Sequence, residues 1–348
     1  MTSPTPSTSS TQRRRTRAAA VTLLAALAVA GLGASAASAA TGVKFDQRTG
    51  GATRVETAVE SSKALYPNGG SDDVVLVNLS RTVDGLSASY LAGLKSAPIL
   101  YTDTDAAPQA TRDEIKRLGA KRVWLVGGEA VISKSQEMAI AGDYTVKRFG
   151  GDDRYATAAA VATAGEYAPE RVYITSGTSL ADAVTVGPQA WANGTPILLT
   201  EAGRVPDATK GALDELGVSY RTVLGGKAVV SDDTYKALGA NSRLAGDDRQ
   251  GTAVAVAEDS VATANFTYAG AALVGGANLN AVDALSASAL AGYYGIPILY
   301  TWTPDDIGAP TANYLKKHAV DFTGPGFIFG GKSAVSDKAA QQATDAAQ

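Results

Sequence analysis

The feature that most constrains this chain is a unit that its sequence repeats three times. Each copy opens on the pattern Arg-x-(Gly/Ala)-Gly-x-x-Arg-x-x-Thr-Ala, at residues 48–58, 148–158 and 243–253. Three further landmarks follow in the same order in every copy: an aspartate, a Pro-Ile-Leu segment and a Gly-Gly pair. Four landmarks in one order, three times over, indicate three copies of one structural module.

Each copy alternates short apolar segments with helical ones. Residues 74–77, 172–175 and 272–274 predict buried strands, and each Pro-Ile-Leu segment predicts a further strand that starts on a proline. Helices are predicted between the strands, for example over residues 108–118 and 206–216, each beginning at a proline. Apolar strands that alternate with helices favour a parallel sheet covered on both faces, so the predicted fold class is α/β.

The repeats divide the chain into modules over residues 40–147, 148–242 and 243–348. A module of this size can hold its own core, whereas a solenoid unit spans only about 20–50 residues. No linker separates the modules, because each copy ends directly before the arginine that opens the next one. We therefore expect three modules that pack on one another around a pseudo-threefold axis.

Residues 1–39 precede the repeats and have the pattern of a secretory signal peptide. Four arginines near position 15 lead into an apolar run at residues 18–32, and an Ala-x-Ala cleavage pattern follows at residues 37–39. The alternative is an N-terminal membrane anchor, but a spanning helix needs roughly 20 apolar residues. No later stretch has 18 consecutive apolar residues, so no transmembrane anchor is expected after cleavage.

Composition limits the chemistry further. The chain has no Cys and one His, which excludes thiolate and multi-histidine metal sites and disfavours a Ser-His-Asp triad. No cofactor is therefore expected. With 31 basic and 34 acidic residues, the chain lacks the basic excess of nucleic-acid binders. Loss of the leader, with its four arginines and no acid, leaves 27 basic residues against 34 acidic, a net charge of −7.

The repeated landmarks resemble those of the cell wall binding repeat 2 family. The resemblance rests on the opening pattern, the Pro-Ile-Leu strand and the Gly-Gly turn, and it covers residues 42–345. It implies three tandem Rossmann-like or Toprim-like modules in a secreted protein of the Gram-positive cell wall or cell surface. It also implies non-covalent attachment to an anionic wall polymer, such as a teichoic or teichuronic acid or another wall glycan.

The three copies depart from one another in two places. In the opening pattern, Ala52-Thr53 of the first copy replaces the Asp-Asp of the others, and Ala245 of the third copy replaces the first glycine. The third copy also lacks a full fourth strand at its end. It either borrows the segment near Phe45 or leaves its sheet incomplete. These differences predict that one or more of the three sites is degraded.

The predicted ligand sites lie at the carboxyl ends of the parallel strands, where open α/β sheets bind ligands. Helix N-termini there favour anions, and an arginine fork suits phosphate or carboxylate. The candidate contacts are the second arginine of each opening pattern and the glycine pairs, namely Arg54, Arg154, Arg249, Gly127, Gly128, Gly225, Gly226, Gly330 and Gly331. The alternative is that the arginines are structural, with Arg154 paired to Asp153 or Asp182 of its own copy.

The repeated aspartates Asp84, Asp182 and Asp283 each precede a helix of small residues. We interpret them as helix caps. Contact with polymer hydroxyls is the second interpretation.

Three classes of function stay open at this point. The favoured one is a non-catalytic protein that binds an anionic wall polymer, for which three weak sites on one body give avidity. The second is a protein–protein module that assembles at the cell surface. The third is a wall-glycan hydrolase, for which the only repeated acid pairs are residues 152–153 and 247–248.

Overall fold

The computed structural model describes residues 42–178, 180–276 and 282–348. Residues 42–348 form one compact unit. The predicted signal peptide over residues 1–39 lies outside the described residues. Within the described part of the chain, no helix is long and apolar enough to cross a membrane.

Three four-stranded parallel sheets form the framework, all with the same strand order. Sheet 1 contains, from edge to edge, β3 (Ile99–Thr102), β2 (Asp73–Asn78), β4 (Arg122–Val126) and β5 (Thr145–Phe149). Sheet 2 contains β7 (Ile197–Thr200), β6 (Arg171–Ser176), β8 (Tyr220–Leu224) and β9 (Ser242–Leu244). Sheet 3 contains β11 (Ile298–Tyr300), β10 (Ala271–Val274), β12 (Gly326–Phe329) and β1 (Phe45–Thr49). The prediction of three α/β modules with parallel sheets is confirmed.

Sheet 3 obtains its fourth strand from the beginning of the repeat region. β1 pairs in parallel with β12, with Arg48 opposite Ile328 and Thr49 opposite Phe329. The third copy therefore borrows the segment near Phe45, and the alternative of an incomplete sheet is wrong. In the same way β5 crosses the sequence boundary between residues 147 and 148, because each fourth strand runs directly into the next opening pattern.

Helices cover the sheets in four equivalent sets. The opening patterns lead into α1 (Arg54–Leu65), α5 (Arg154–Ala162) and α10 (Arg249–Thr263). The repeated aspartates lie in a 3₁₀-helix (Thr82–Gly85), in α6 (Leu180–Thr185) and in α11 (Val282–Tyr294). Between the second and third strands of each repeat lie α3 (Gln109–Leu118), α8 (Asp207–Leu216) and α12 (Ala309–Lys317). After the Gly-Gly pairs lie α4 (Lys134–Ala141), α9 (Asp232–Ala237) and α13 (Asp337–Ala346).

One helix from each repeat packs against the other two: α2 (Ala88–Lys95), α7 (Gly187–Asn193) and α11. Glycines permit their close approach. A Cβ on Gly93 would collide with the carbonyl oxygen of Trp191, and one on Gly187 would collide with Oγ of Ser288. One hydrophobic cluster runs through all three repeats and includes Leu91, Ala190 and Leu290. The mutual packing that a pseudo-threefold arrangement requires is therefore present.

We predict that Gly93→Ala destabilises the whole protein. The added methyl group meets the backbone of α7, which cannot move aside independently, and overpacking of this kind costs about 1–3 kcal/mol. The Tm measured by calorimetry should fall. The matched control is Gly211→Ala in α8, where a Cβ meets nothing within 4 Å. This control should raise the Tm, because alanine favours a helix by about 1 kcal/mol over glycine. A Gly93→Ala protein as stable as the wild type would contradict the packing argument.

Candidate functional site

The first arginine of each opening pattern ties the edge strand of one sheet to the Gly-Gly turn beside it. In β5, Arg148 donates from Nη1 to the carbonyl oxygen of Gly127 at 2.8 Å. The same bond joins Arg243 to Gly225 at 2.8 Å and Arg48 to Gly330 at 3.0 Å. The prediction of site residues missed this role, although the presence of these arginines in all three copies is a sequence signal for it.

The Gly-Gly turns require glycine at their first position. Gly127, Gly225 and Gly330 follow directly on β4, β8 and β12, with φ values of 127°, 94° and 107°. Residues that have a side chain rarely adopt positive φ values of this size. A Cβ on Gly330 would lie 2.9 Å from Oδ2 of Asp283, and one on Gly225 would lie 2.9 Å from Oδ2 of Asp182. These two aspartates therefore lie against the turns.

Other residues of the opening pattern build a helix start. Asp153 is the N-cap of α5, and its Oδ1 accepts a hydrogen bond from Ala156 N at 2.8 Å. Three residues into the helix, Oγ1 of Thr157 accepts from Gly151 N at 3.1 Å. Equivalent caps are Thr53 and Asp248, and equivalent threonines are Thr57 and Thr252. Most of the pattern is thus explained by architecture, with the second arginine as the exception.

That second arginine is the first residue of α1, α5 and α10, and it is half-buried in all three repeats. Nη1 of Arg154 donates to the carbonyl oxygen of Gly177, directly after β6, at 2.6 Å. Nη1 of Arg249 donates to Gly276 O, after β10, at 2.5 Å. These bonds hold the side chains at the carboxyl edge of their own sheets. A guanidinium has five N–H donors, so one such bond leaves most of the fork for other acceptors.

The second arginines interact electrostatically across the junctions between repeats, in a cyclic order. Arg154 interacts electrostatically with Asp84, and Arg54 with Asp283. Arg249 and Asp182 both interact electrostatically with Tyr300, whose hydroxyl donates to Ala181 O at 2.8 Å. We name the three sets cluster 1–2 (Asp84, Gly127, Gly128, Arg154), cluster 2–3 (Asp182, Gly225, Gly226, Arg249) and cluster 3–1 (Asp283, Gly330, Gly331, Arg54).

The structure corrects one interpretation made from the sequence and adds to another. Arg154 interacts electrostatically with Asp84 of the first repeat, because α5 starts where sheets 1 and 2 adjoin. Its pairing with Asp153 or Asp182 of its own copy stays a hypothesis. The repeated aspartates are not helix caps. Asp84, Asp182 and Asp283 lie inside the first turn of their helices, past the cap position. Their contact with a ligand stays a prediction.

Burial disfavours the ionised form of two of these aspartates. Removal from water raises the pKa of Asp84 and of Asp283 above the ordinary value, and the facing arginines, Arg154 and Arg54, oppose the shift only in part. Among the described residues, Oδ1 of Asp283 is buried with no hydrogen-bond partner. Both carboxyls therefore cost stability when they ionise.

Comparison with known proteins gives three matches to one family model. The model, described as cell wall binding domain 2 (CWB2), matches residues 48–137, 148–235 and 243–340. N-acetylmuramoyl-L-alanine amidase LytC of Bacillus subtilis is 36% identical over 204 residues, which is 58% of this chain and 40% of that protein. The amidase enhancer of Bacillus subtilis is 33% identical over 166 residues, which is 47% of this chain and 23% of that protein. The chain spans less than half the length of these curated relatives.

Two solved structures share the architecture. Cwp6 from Clostridium difficile superposes with a TM-score of 0.74 and 26% identity, covering 90% of this chain and 50% of that one. Cwp8 from the same organism gives a TM-score of 0.76 and 26% identity, covering 86% of this chain and 51% of that one.

We predict that Asp283→Asn stabilises the protein in a pH-dependent way. The folded-state pKa of Asp283 is raised, so its favourable contribution is complete below the ordinary value of 3.8 and is lost as the pH rises through the raised value. The Tm of the variant should therefore exceed that of the wild type at pH 7, and the difference should vanish near pH 3.5. Asp143→Asn, at an exposed carboxyl, is the control. A constant difference between Asp283→Asn and wild type at all pH values would contradict the prediction.

Proposed function

Because the chain belongs to the cell wall binding domain 2 family, we propose that it is an exported protein that attaches non-covalently to anionic polymers of the bacterial cell wall. The attachment is non-catalytic and holds the protein at the wall or cell surface. The family resemblance seen in the sequence is confirmed by the three matches. The predicted signal peptide over residues 1–39 supports export.

The observation that carries the proposal is that Arg154 and Arg249 are held at the carboxyl edges of their sheets by one hydrogen bond each, to Gly177 O and Gly276 O, with most of each guanidinium left for other acceptors. Among the described residues, no acceptor is bonded to the backbone N–H of Gly128, Gly226 or Gly331. All three of these glycines are partly exposed. Backbone N–H groups and guanidinium groups both suit a phosphate or carboxylate oxygen.

The charge of the protein fits local rather than long-range attraction. A net charge of −7 after loss of the leader opposes steering of a polyanion from a distance. Each site must therefore attract its anion through close donors, which gives weak single contacts. Three such clusters on one compact unit can bind a repeating polymer at the same time. The overall affinity then exceeds that of any single cluster, which is avidity.

Two features support a role without catalysis. The repeated acid pairs supply helix caps, since Asp153 and Asp248 each accept a backbone hydrogen bond at 2.8 Å. The one histidine, His318, is buried, and its ring nitrogens lie 3.0 Å from Glu258 and 3.1 Å from Asp321. A histidine enclosed in this way is poorly placed to reach a substrate.

We predict that the triple variant Arg54→Gln, Arg154→Gln, Arg249→Gln loses wall binding. Each substitution removes a charge-assisted donor worth about 1.5–3 kcal/mol, so affinity should fall at least about tenfold per engaged site. The measurement is co-sedimentation of purified protein with isolated Gram-positive walls, before and after extraction of their anionic polymers. Wild-type protein should sediment only with the unextracted walls.

The matched control removes one exposed lysine from each repeat, as Lys63→Gln, Lys210→Gln, Lys338→Gln, so that the net charge changes equally. Its binding should stay close to that of the wild type. Wild-type binding that survives polymer extraction would reject the anionic polymer as ligand. Release of soluble sugar or peptide from the walls would reject the non-catalytic role.

A further inference from the structure

The loop after the second strand of the third repeat is one residue longer than its counterparts, and it carries Trp302 where the other two repeats have acidic residues. In all three repeats the serine that caps the last helix donates to a loop carbonyl, at Thr104, Ala202 and Pro304. This carbonyl comes two residues after the strand-end threonine in repeats 1 and 2, at Thr102 and Thr200, but three residues after Thr301 in repeat 3. The extra residue comes after Trp302, because the backbone N–H of Trp302 donates to a carbonyl of its own loop as those of Asp103 and Glu201 do. Trp302 therefore stands where the other two repeats have a carboxylate.

Trp302 is an exposed aromatic side chain next to cluster 2–3. Its side chain is 54% exposed, whereas Trp124 is half-buried and Trp191 is buried. The preceding residue, Thr301, accepts a hydrogen bond at Oγ1 from Gly276 N at 3.3 Å. The carbonyl of the same Gly276 accepts from Arg249 Nη1 at 2.5 Å. Two hydrogen bonds therefore connect the tryptophan's neighbour to the candidate anion contact.

The loop around Trp302 is polar and well held. Trp302 N donates to Asp306 O at 2.8 Å, and Asp305 N donates to Oγ1 of Thr303 at 3.3 Å. Asp305 itself is exposed. A protein interface centred on a tryptophan is normally surrounded by further apolar area. One aromatic face within a rim of hydroxyl and carboxylate groups suits a smaller ligand that has an apolar face and a polar edge.

A pyranose ring has this character, with C–H groups on its faces and hydroxyls around its edge. We propose that Trp302 stacks on a pyranose unit of the wall polymer while Arg249 binds an anionic group of the same polymer, with Asp305 accepting from sugar hydroxyls. This inference rests on the proposed function and narrows it. Cluster 2–3 selects a sugar-containing polymer, whereas the clusters whose loops have no tryptophan at this position recognise negative charge.

The test compares two polyanions, a hexuronate-containing teichuronic polysaccharide and an unsubstituted poly(glycerol phosphate) that has no sugar ring. Trp302→Ala should weaken binding of purified protein to the polysaccharide about three- to tenfold, the range expected for one aromatic stacking contact. Binding to poly(glycerol phosphate) should not change. Trp302→Phe keeps an aromatic face and should retain most of the affinity. Tyr167→Ala, at an aromatic side chain that is 64% exposed elsewhere, is the matched control.

Fluorescence gives an independent readout that folding defects do not mimic. Because Trp302 is the most exposed of the three tryptophans, acrylamide should quench it preferentially, and saturating polysaccharide should protect it. Equal affinities of wild type and Trp302→Ala for the polysaccharide, or an equal loss with both probes, would overturn the stacking proposal alone. Failure of wild-type protein to bind either probe or isolated walls would overturn the proposed function as well.

Discussion

The close packing of α2, α7 and α11 is the contact on which the rest of the structure depends. Each helix comes from a different repeat, and glycines at Gly93 and Gly187 remove the side chains that would hold them apart. This contact orients each sheet relative to the next. As a result, the carboxyl edge of one sheet adjoins the helix start that follows it in sequence, and the three clusters arise at these junctions.

The cyclic order makes the sites a property of the whole set of repeats. Cluster 1–2 takes Asp84 and its glycine turn from the first repeat but Arg154 from the second. Cluster 3–1 closes the cycle, because β1 completes sheet 3 and leads directly into Arg54. A single repeat expressed alone would lack the arginine that the next repeat supplies, so three copies are needed for three complete clusters.

Stability and the proposed ligand binding place opposite demands on the cluster residues. The first arginines and the capping residues satisfy backbone groups and strengthen the fold, whereas Asp84 and Asp283 have raised pKa values because they are buried as carboxyls. Residues that cost stability and recur in equivalent places are typical of functional sites. Trp302, which stands where the other repeats have Asp103 and Glu201, adds a chemical difference between otherwise similar repeats.

The sequence by itself determined the α/β class, the three modules and most strand positions, because apolar β-branched runs and their spacing depend on local patterning. It also indicated that Phe45 could complete the third sheet. Only the tertiary structure decided the partners of the arginines. Sequence proximity suggested an ion pair of Arg154 with Asp153 or Asp182, yet the Asp153 side chain caps α5 and Arg154 also interacts electrostatically with Asp84 of the preceding repeat. Such pairings depend on how separate modules pack on one another. The hydrophobic periodicity of a single segment does not predict that packing.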